Sequence, residues 1–167
     1  FYERMKMSAS APLMISVSGV RGLIGQSLTP QVATEFAQAF GTWLKSQPRA
    51  TGNARPKVAI GRDSRPSGPM VFSSVAAGLL SVGVDVVDLN VCTTPSTALM
   101  GRFIKSDASI VITASHNPII WNGIKTLRHD GIAYPPAQAA QIKDAYLNKA
   151  WQTLGLSTIE HIGRFST

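Results

Sequence analysis

The chemistry-bearing residues concentrate in Thr113-Ala114-Ser115-His116-Asn117-Pro118, which is followed at once by Trp121-Asn122-Gly123-Ile124-Lys125. The hydroxyl of Ser115 comes just after the β-rich run Ala108-Ser109-Ile110-Val111-Ile112. Pro118 cannot continue a central strand, because it lacks an N–H and fixes φ, and it pushes Asn117 toward extended geometry. Ser115 is therefore expected in a constrained turn at a strand end. Gly123 permits close backbone approach, and Lys125 returns a cation to the same neighbourhood. A nucleophilic hydroxyl beside fixed positive charge suits phosphate chemistry.

Three further groups bear on this site. Arg21 stands between glycines in Ser16-Val17-Ser18-Gly19-Val20-Arg21-Gly22 and has the planar fork that binds phosphate in bidentate fashion. Arg62, Asp63 and Arg65 crowd the loop Gly61-Arg62-Asp63-Ser64-Arg65-Pro66-Ser67-Gly68, either as a phosphate clamp or, the reading preferred here, as an internal ion pair that fixes the loop. His116 adjoins the serine. In extended backbone, however, neighbouring side chains point to opposite faces, so adjacency alone makes no Ser-His dyad, and no nucleophile-elbow motif surrounds Ser115.

These motifs, taken in order, resemble the N-terminal phosphoserine domain of the α-D-phosphohexomutases, the family of phosphoglucomutase, phosphomannomutase and phosphoglucosamine mutase. Ser16–Gly22 resembles the opening motif, Gly61–Gly68 the Gly-Arg-Asp-x-Arg-x-Ser-Gly element, Thr94-Pro95 a helix start, and Thr113–Pro118 the catalytic loop. One departure stands out: Val17 occupies the place where many members carry a threonine hydroxyl. The resemblance implies a three-layer α/β/α sandwich with a mixed, largely parallel sheet. It further implies that Ser115 is a phosphorylated nucleophile exchanging its phosphoryl group with a hexose monophosphate through a hexose 1,6-bisphosphate, which also serves as activator.

In that scheme Ser115, His116, Lys125 and Arg21 are catalytic, and Arg21, Ser115, Asn117 and Lys125 contact substrate or phosphate. Mg²⁺ is met by Ser115 through its phosphate, with the other ligands on a domain outside this chain. Lys125 is either a fixed charge on the phosphoryl group or a proton-exchanging amine. His116 either transfers a proton, orients the phosphate, or shapes the loop. The alternative to a mutase is a non-catalytic sugar-phosphate-binding domain of the same fold.

A chain of 167 residues with 44% hydrophobic content is long enough for one domain with a real core, and short for the four-domain enzyme that the resemblance implies. Its expected partners are a phosphorylated hexose and the remaining domains of a parent chain. The net charge of +7 raises the possibility of nucleic acid, but the Lys and Arg residues are scattered, without a basic run or aromatic platform, so no nucleic-acid partner is expected. A single cysteine, Cys92, fits a small apolar filler in a reducing cytoplasm, and His116, His129 and His161 lack metal-ligand spacing. No membrane association is expected, since no apolar run is long enough to span a bilayer.

The elements that must position these residues read as alternating strands and helices. Residues 1–11 read as a disordered or extraneous stretch, 12–154 as the domain, and 155–167 as a link toward another domain. Thr29-Pro30 caps a helix carrying Val32, Phe36, Ala39, Phe40 and Trp43 at helical spacing, and Gln47–Pro56 reads as a surface loop. Lys57–Ile60, Val84–Leu89, Ala108–Ile112 and Gly123–Leu127 read as strands. Gly68–Val82, stopped by Gly83, then Thr94 to about Ile104, and Pro135-Pro136 to about Trp151 read as helices. Ligands in such folds collect beyond the carboxyl ends of strands, where the Gly61 and Ser115 loops lie.

Overall fold

A computed structural model of the chain describes residues 12–48 and 55–167, so the stretch before Pro12 and most of the Gln47–Pro56 loop lie outside the described residues. The elements run β1 (Met14–Ser16), β2 (Gly19–Leu23), α1 (Pro30–Lys45), β3 (Lys57–Arg62), α2 (Gly68–Ser81), β4 (Asp85–Val91), α3 (Thr94–Phe103), β5 (Ala108–Ile112), β6 (Trp121–Arg128), α4 (Pro136–Leu147), α5 (Ala150–Leu154) and β7 (Phe165–Ser166). They build a seven-stranded sheet in the order β1-β2-β6-β5-β3-β4-β7. The half from β5 to β7 is parallel, and the half from β1 through β6 to β5 is antiparallel.

Side-chain alternation along the strands assigns the two faces. Val58, Ile60, Ala108, Ile110, Ile112, Val20 and Ile124 point into one core with α1, α2 and α4, where Phe36, Phe40, Val75 and Leu79 are buried. The opposite face carries Gly61 and Ser109, and α3 lies so close on it that a methyl at Gly61 would strike Thr97 and one at Gly101 would strike Ser109. Helices therefore cover both faces, unequally. α3 leaves the β1–β2–β6 end of its side uncovered, and that open end holds the site.

Local chemistry sets the helix ends. Thr29 caps α1, its Oγ1 accepting the Val32 N–H at 3.2 Å, and Pro30 occupies the first turn. Gly83 turns the chain after α2 at φ +81°, as its position predicts. Thr93, one residue before the expected start, caps α3 by accepting the Ser96 N–H.

Three elements differ from the sequence reading. The opening motif, to which the sequence reading assigns no strand, forms the β1–β2 hairpin, and β2 then pairs with β6 from Gly19↔Lys125 to Leu23↔Trp121. The single helix expected from Pro136 to Trp151 is broken at Lys149, whose φ is +50°. In an unbroken helix a residue five positions on lies off the shared face; the break returns Trp151 to stack on Tyr146, with centroids 6.3 Å apart, and buries it. The segment after Gly155 also contributes β7, which lies along β4.

Gly123 tests the close packing behind the site. A Cβ there would sit 2.8 Å from the Val20 carbonyl oxygen and 2.9 Å from that of Thr113, both backbone atoms unable to move aside cheaply. Gly123→Ala is expected to destabilise the domain by about 1–3 kcal/mol, lowering Tm by roughly 2–4 °C per kcal/mol. Calorimetric melting checks this, and an unchanged Tm would show that the sheet yields at this point.

Candidate active site

β5 ends at Ile112, but its ladder persists one residue, as the Thr113 N–H donates to the Gly123 carbonyl at 3.0 Å. The chain then turns. Thr113 Oγ1 accepts the Ser115 N–H at 3.0 Å, and Ser115 adopts φ +56°, in the left-handed region that costs an L-residue about 1–2 kcal/mol. Asn117 closes the turn by donating both its backbone N–H and its side-chain Nδ2 to the Ala114 carbonyl, at 3.1 and 2.8 Å. Its amide thus serves the loop. The Trp121 N–H donates to the Pro118 carbonyl and leads the chain into β6.

The left-handed backbone corrects the expectation that Ser115 and His116 face apart. Their side chains turn to the same side, with Ser115 Oγ 3.4 Å from His116 Nδ1, and both residues are exposed. Sequence reasoning missed this proximity because it assumed extended geometry.

Beside this turn lies the loop after β3, since β3 and β5 are parallel neighbours whose carboxyl ends coincide. The Asp63 N–H donates to the Ile112 carbonyl at 3.0 Å, tying the loops together. The Asp63 carboxylate accepts the Arg65 backbone N–H and the Arg65 Nε–H, both at 3.1 Å, so the internal ion pair is present. The terminal nitrogens of Arg65 reach across to the carbonyls of Ser115 (3.0 Å), Asn117 (2.7 Å), Pro118 (2.9 Å) and Trp121 (3.1 Å). Arg62 turns the other way, to Asp88 and Asn90, and stacks over Phe72. Asn122 Nδ2 donates to Ser67 Oγ, which leaves that hydroxyl out of the cap of α2.

Sheet register brings two cations to the serine. Gly19 pairs with Lys125 and Arg21 with Gly123, so alternation puts Arg21 and Lys125 diagonally on one face, opposite the core face of Val20 and Ile124. They line a cleft of about 270 Å³ together with Ser115, Thr113, Ser16 and Ser18. Neither side chain has a hydrogen bond or ion pair with any described residue. The cleft therefore offers two positive charges uncommitted to any described residue and the Ser115 hydroxyl, with the His116 imidazole beside that hydroxyl, a set suited to a dianionic phosphate ester. Val17 is exposed at the hairpin tip.

The other candidates lie elsewhere. Cys92 is half-buried with Sγ 3.0 Å from Thr97 Oγ1, and His161 Nδ1 lies 3.0 Å from Thr158 Oγ1. At the far end of β6, burial pushes the Tyr134 phenol well above its ordinary range. In the adjoining turn burial would raise the Asp130 carboxyl, but hydrogen bonds from Arg128 and the Ile132 N–H outweigh it and hold that carboxyl below its usual value. Among the described residues no three His, Cys, Asp or Glu side chains are grouped to hold a metal ion. No helix among them is long and apolar enough to cross a membrane.

The sequence and the fold both have known relatives. Residues 13–153 match the family model described as phosphoglucomutase/phosphomannomutase, alpha/beta/alpha domain I. The chain is 40% identical over 135 residues to a phosphoglucosamine mutase of Alkaliphilus oremlandii, covering 81% of this chain and 29% of that protein. It is 37% identical over 142 residues to a phosphoglucomutase/phosphomannomutase of Thermococcus kodakarensis, covering 82% and 30%. Among solved structures, a phosphoglucomutase/phosphomannomutase family protein of Burkholderia thailandensis superposes with TM-score 0.69 at 30% identity, covering 91% of this chain and 33% of that one. A structure described as a phosphomannomutase of Thermus thermophilus gives TM-score 0.71 at 25% identity, covering 82% and 30%. The chain thus spans about three-tenths of the length of the curated relatives it matches. The domain that supports the serine turn and its two cations belongs to the phosphoglucomutase/phosphomannomutase family, as its α/β/α domain I.

Proposed function

We propose that this domain supplies the phosphoserine wall of a mutase that interconverts hexose 1-phosphate and hexose 6-phosphate. In the forward half, the free hydroxyl of the hexose monophosphate attacks the phosphorus on Ser115. The new sugar O–P bond forms as the Ser115 Oγ–P bond breaks, the sugar hydroxyl gives up its proton, and Oγ regains one. The product is a hexose 1,6-bisphosphate, whose other phosphoryl group then returns to Oγ by the reverse exchange. The same bisphosphate added from solution recharges an unphosphorylated Ser115 and so acts as activator.

The observation that carries this reading is the exposed, left-handed Ser115 on the same cleft as two cations without partners among the described residues. Phosphoryl transfer draws its catalysis mainly from positioning and charge stabilisation, and Arg21 and Lys125 supply fixed charge toward the equatorial oxygens. His116 Nδ1, 3.4 Å from Oγ, is placed to move the proton that Oγ gains or loses.

Mg²⁺ would add charge neutralisation at the transferred phosphoryl group. It asks for near-octahedral oxygen ligands, usually one or two carboxylates with phosphate oxygens. The described residues alone do not meet that demand, since Asp63 is committed to Arg65. Ser115 would contribute through its phosphate, with the other ligands from outside this chain. Exposed apolar side chains on the outer face of α3, Leu99, Met100 and Phe103, support packing against further domains of a parent chain. A cytoplasmic location fits the phosphorylated substrate.

The test is a coupled assay of the full-length parent chain with glucose, mannose and glucosamine phosphates, with and without the matching 1,6-bisphosphate. Interconversion dependent on bisphosphate is expected. The 167-residue chain alone is expected to fold but to show no turnover in the ordinary range of ~1–10³ per second, and titration calorimetry should find no tight Mg²⁺ site in it. Turnover by the isolated domain, or a Mg²⁺ site of roughly micromolar affinity, worth about 8 kcal/mol, would contradict the proposed division of labour.

A further inference from the structure

We propose that Arg65 is the positioning residue of the serine turn: its guanidinium sets where Ser115 presents Oγ, and with it the rate of phosphoryl transfer. The proposal rests on the assignment of Ser115 as the phosphoryl carrier.

The turn runs from Thr113 to Ile120 without helix or strand, and the carbonyls of Ser115, Asn117, Pro118 and Trp121, the last at the start of β6, all converge on one point. Four convergent carbonyl dipoles repel one another unless a donor sits at their focus. Arg65 supplies it, giving two hydrogen bonds from each terminal nitrogen. Its third nitrogen, Nε, is spent on Asp63, so the fork cannot rotate, and Asp63 is itself anchored to the end of β5 through its N–H and the Ile112 carbonyl. The side chain is only 11% exposed, which keeps water from substituting for it.

This brace acts on the reactive atom through two features. Ser115 is held at φ +56°, an unfavourable conformation for serine that persists only where its surroundings over-determine it, and the Ser115 carbonyl is one of the four acceptors. The same φ brings His116 Nδ1 to within 3.4 Å of Oγ. Loss of the brace would let the residue relax toward ordinary φ, moving Oγ relative to Lys125 and His116 together. The guanidinium faces carbonyl oxygens and not the cleft, so its effect is exerted through backbone geometry. Only a planar, multi-donor cation fits, since lysine has a single nitrogen and cannot satisfy four acceptors and a carboxylate at once.

The experiment uses Arg65→Ala and Arg65→Lys in the full-length parent chain. Both are expected to keep the fold by circular dichroism. Arg65→Ala should lose about 100-fold in kcat, as expected for misplacement of a reacting group by the order of an ångström, with KM nearly unchanged. Arg65→Lys should recover little of this. Guanidinium added at tens of millimolar should restore activity to Arg65→Ala by about tenfold or more while leaving wild type and Ser115→Ala unaffected. Unchanged kcat in Arg65→Ala, full activity in Arg65→Lys, or a loss that guanidinium does not relieve would each overturn the proposal. Amide exchange separates this claim from the one it rests on. If wild type formed no phosphoserine, the phosphoryl-carrier assignment would fail, yet faster exchange at 115–121 in Arg65→Ala would still support Arg65 as the brace of the turn, and unchanged protection there would refute it.

Discussion

Ser115→Ala in the full-length parent chain is expected to abolish hexose phosphate interconversion, with kcat falling by about 10⁴-fold or more, the scale seen when a covalent nucleophile is deleted. No other described hydroxyl in the cleft combines a strand-end position with an imidazole at hydrogen-bonding range. Ser16 and Ser18 are nearest in kind, but their hydroxyls lie 3.0 Å from each other on the hairpin. Stability should hardly move, because Ser115 is exposed and, among the described residues, Oγ is engaged only with His116; a change within about 0.5 kcal/mol is expected of such a surface position. Activity loss with an unchanged melt separates a chemical role from a structural one. Ser115→Thr is a harsher variant than its chemistry suggests, since a β-branched residue at φ +56° is strained.

Lys125→Met is expected to cost about 10²–10³ in kcat, the scale for losing one preorganised electrostatic contact to a transition state. The side chain sits on β6 opposite Gly19 and faces the cleft without a described partner, so methionine preserves the packing of the stem while removing the charge. Lys125→Arg distinguishes the two roles open to the amine. A fixed charge survives the change, and activity should largely return with an unaltered pH profile. A proton-exchanging amine does not survive it, because guanidinium stays protonated across the working range. A Lys125→Met enzyme of wild-type activity would return Lys125 to an ordinary strand lysine.

Much of the scaffold was legible because its signals are local. Thr29-Pro30 announces α1, Gly83 ends α2, and the largely apolar, β-rich run Ala108–Ile112 marks the buried central strand. The β1–β2 hairpin was not legible, because Gly19-Val20-Arg21-Gly22-Leu23 carries two glycines in five residues and takes strand geometry from its pairing with the three-residue β1 on one side and with β6, about a hundred residues away, on the other. β7 has two residues and no periodicity to detect.

The site divides along the same line. Ser115, Lys125 and Arg21 could be chosen by type and setting, and sheet register brings them to one cleft. The Arg65 brace could not be foreseen in full: the Asp63 pairing is two residues away, but the other four acceptors are backbone carbonyls some fifty residues on, and carbonyls leave no mark in the sequence. The proximity of His116 to Ser115 depends on a single backbone angle.

The central claim is that Ser115 carries the phosphoryl group, and peptide mass spectrometry tests it most directly. The full-length protein, incubated with a hexose 1,6-bisphosphate and digested, is predicted to carry one phosphate on the peptide containing Thr113–Pro118, located at Ser115 by fragmentation and discharged by excess hexose monophosphate. A stoichiometric phosphate on a different residue, together with full activity of Ser115→Ala, would contradict it.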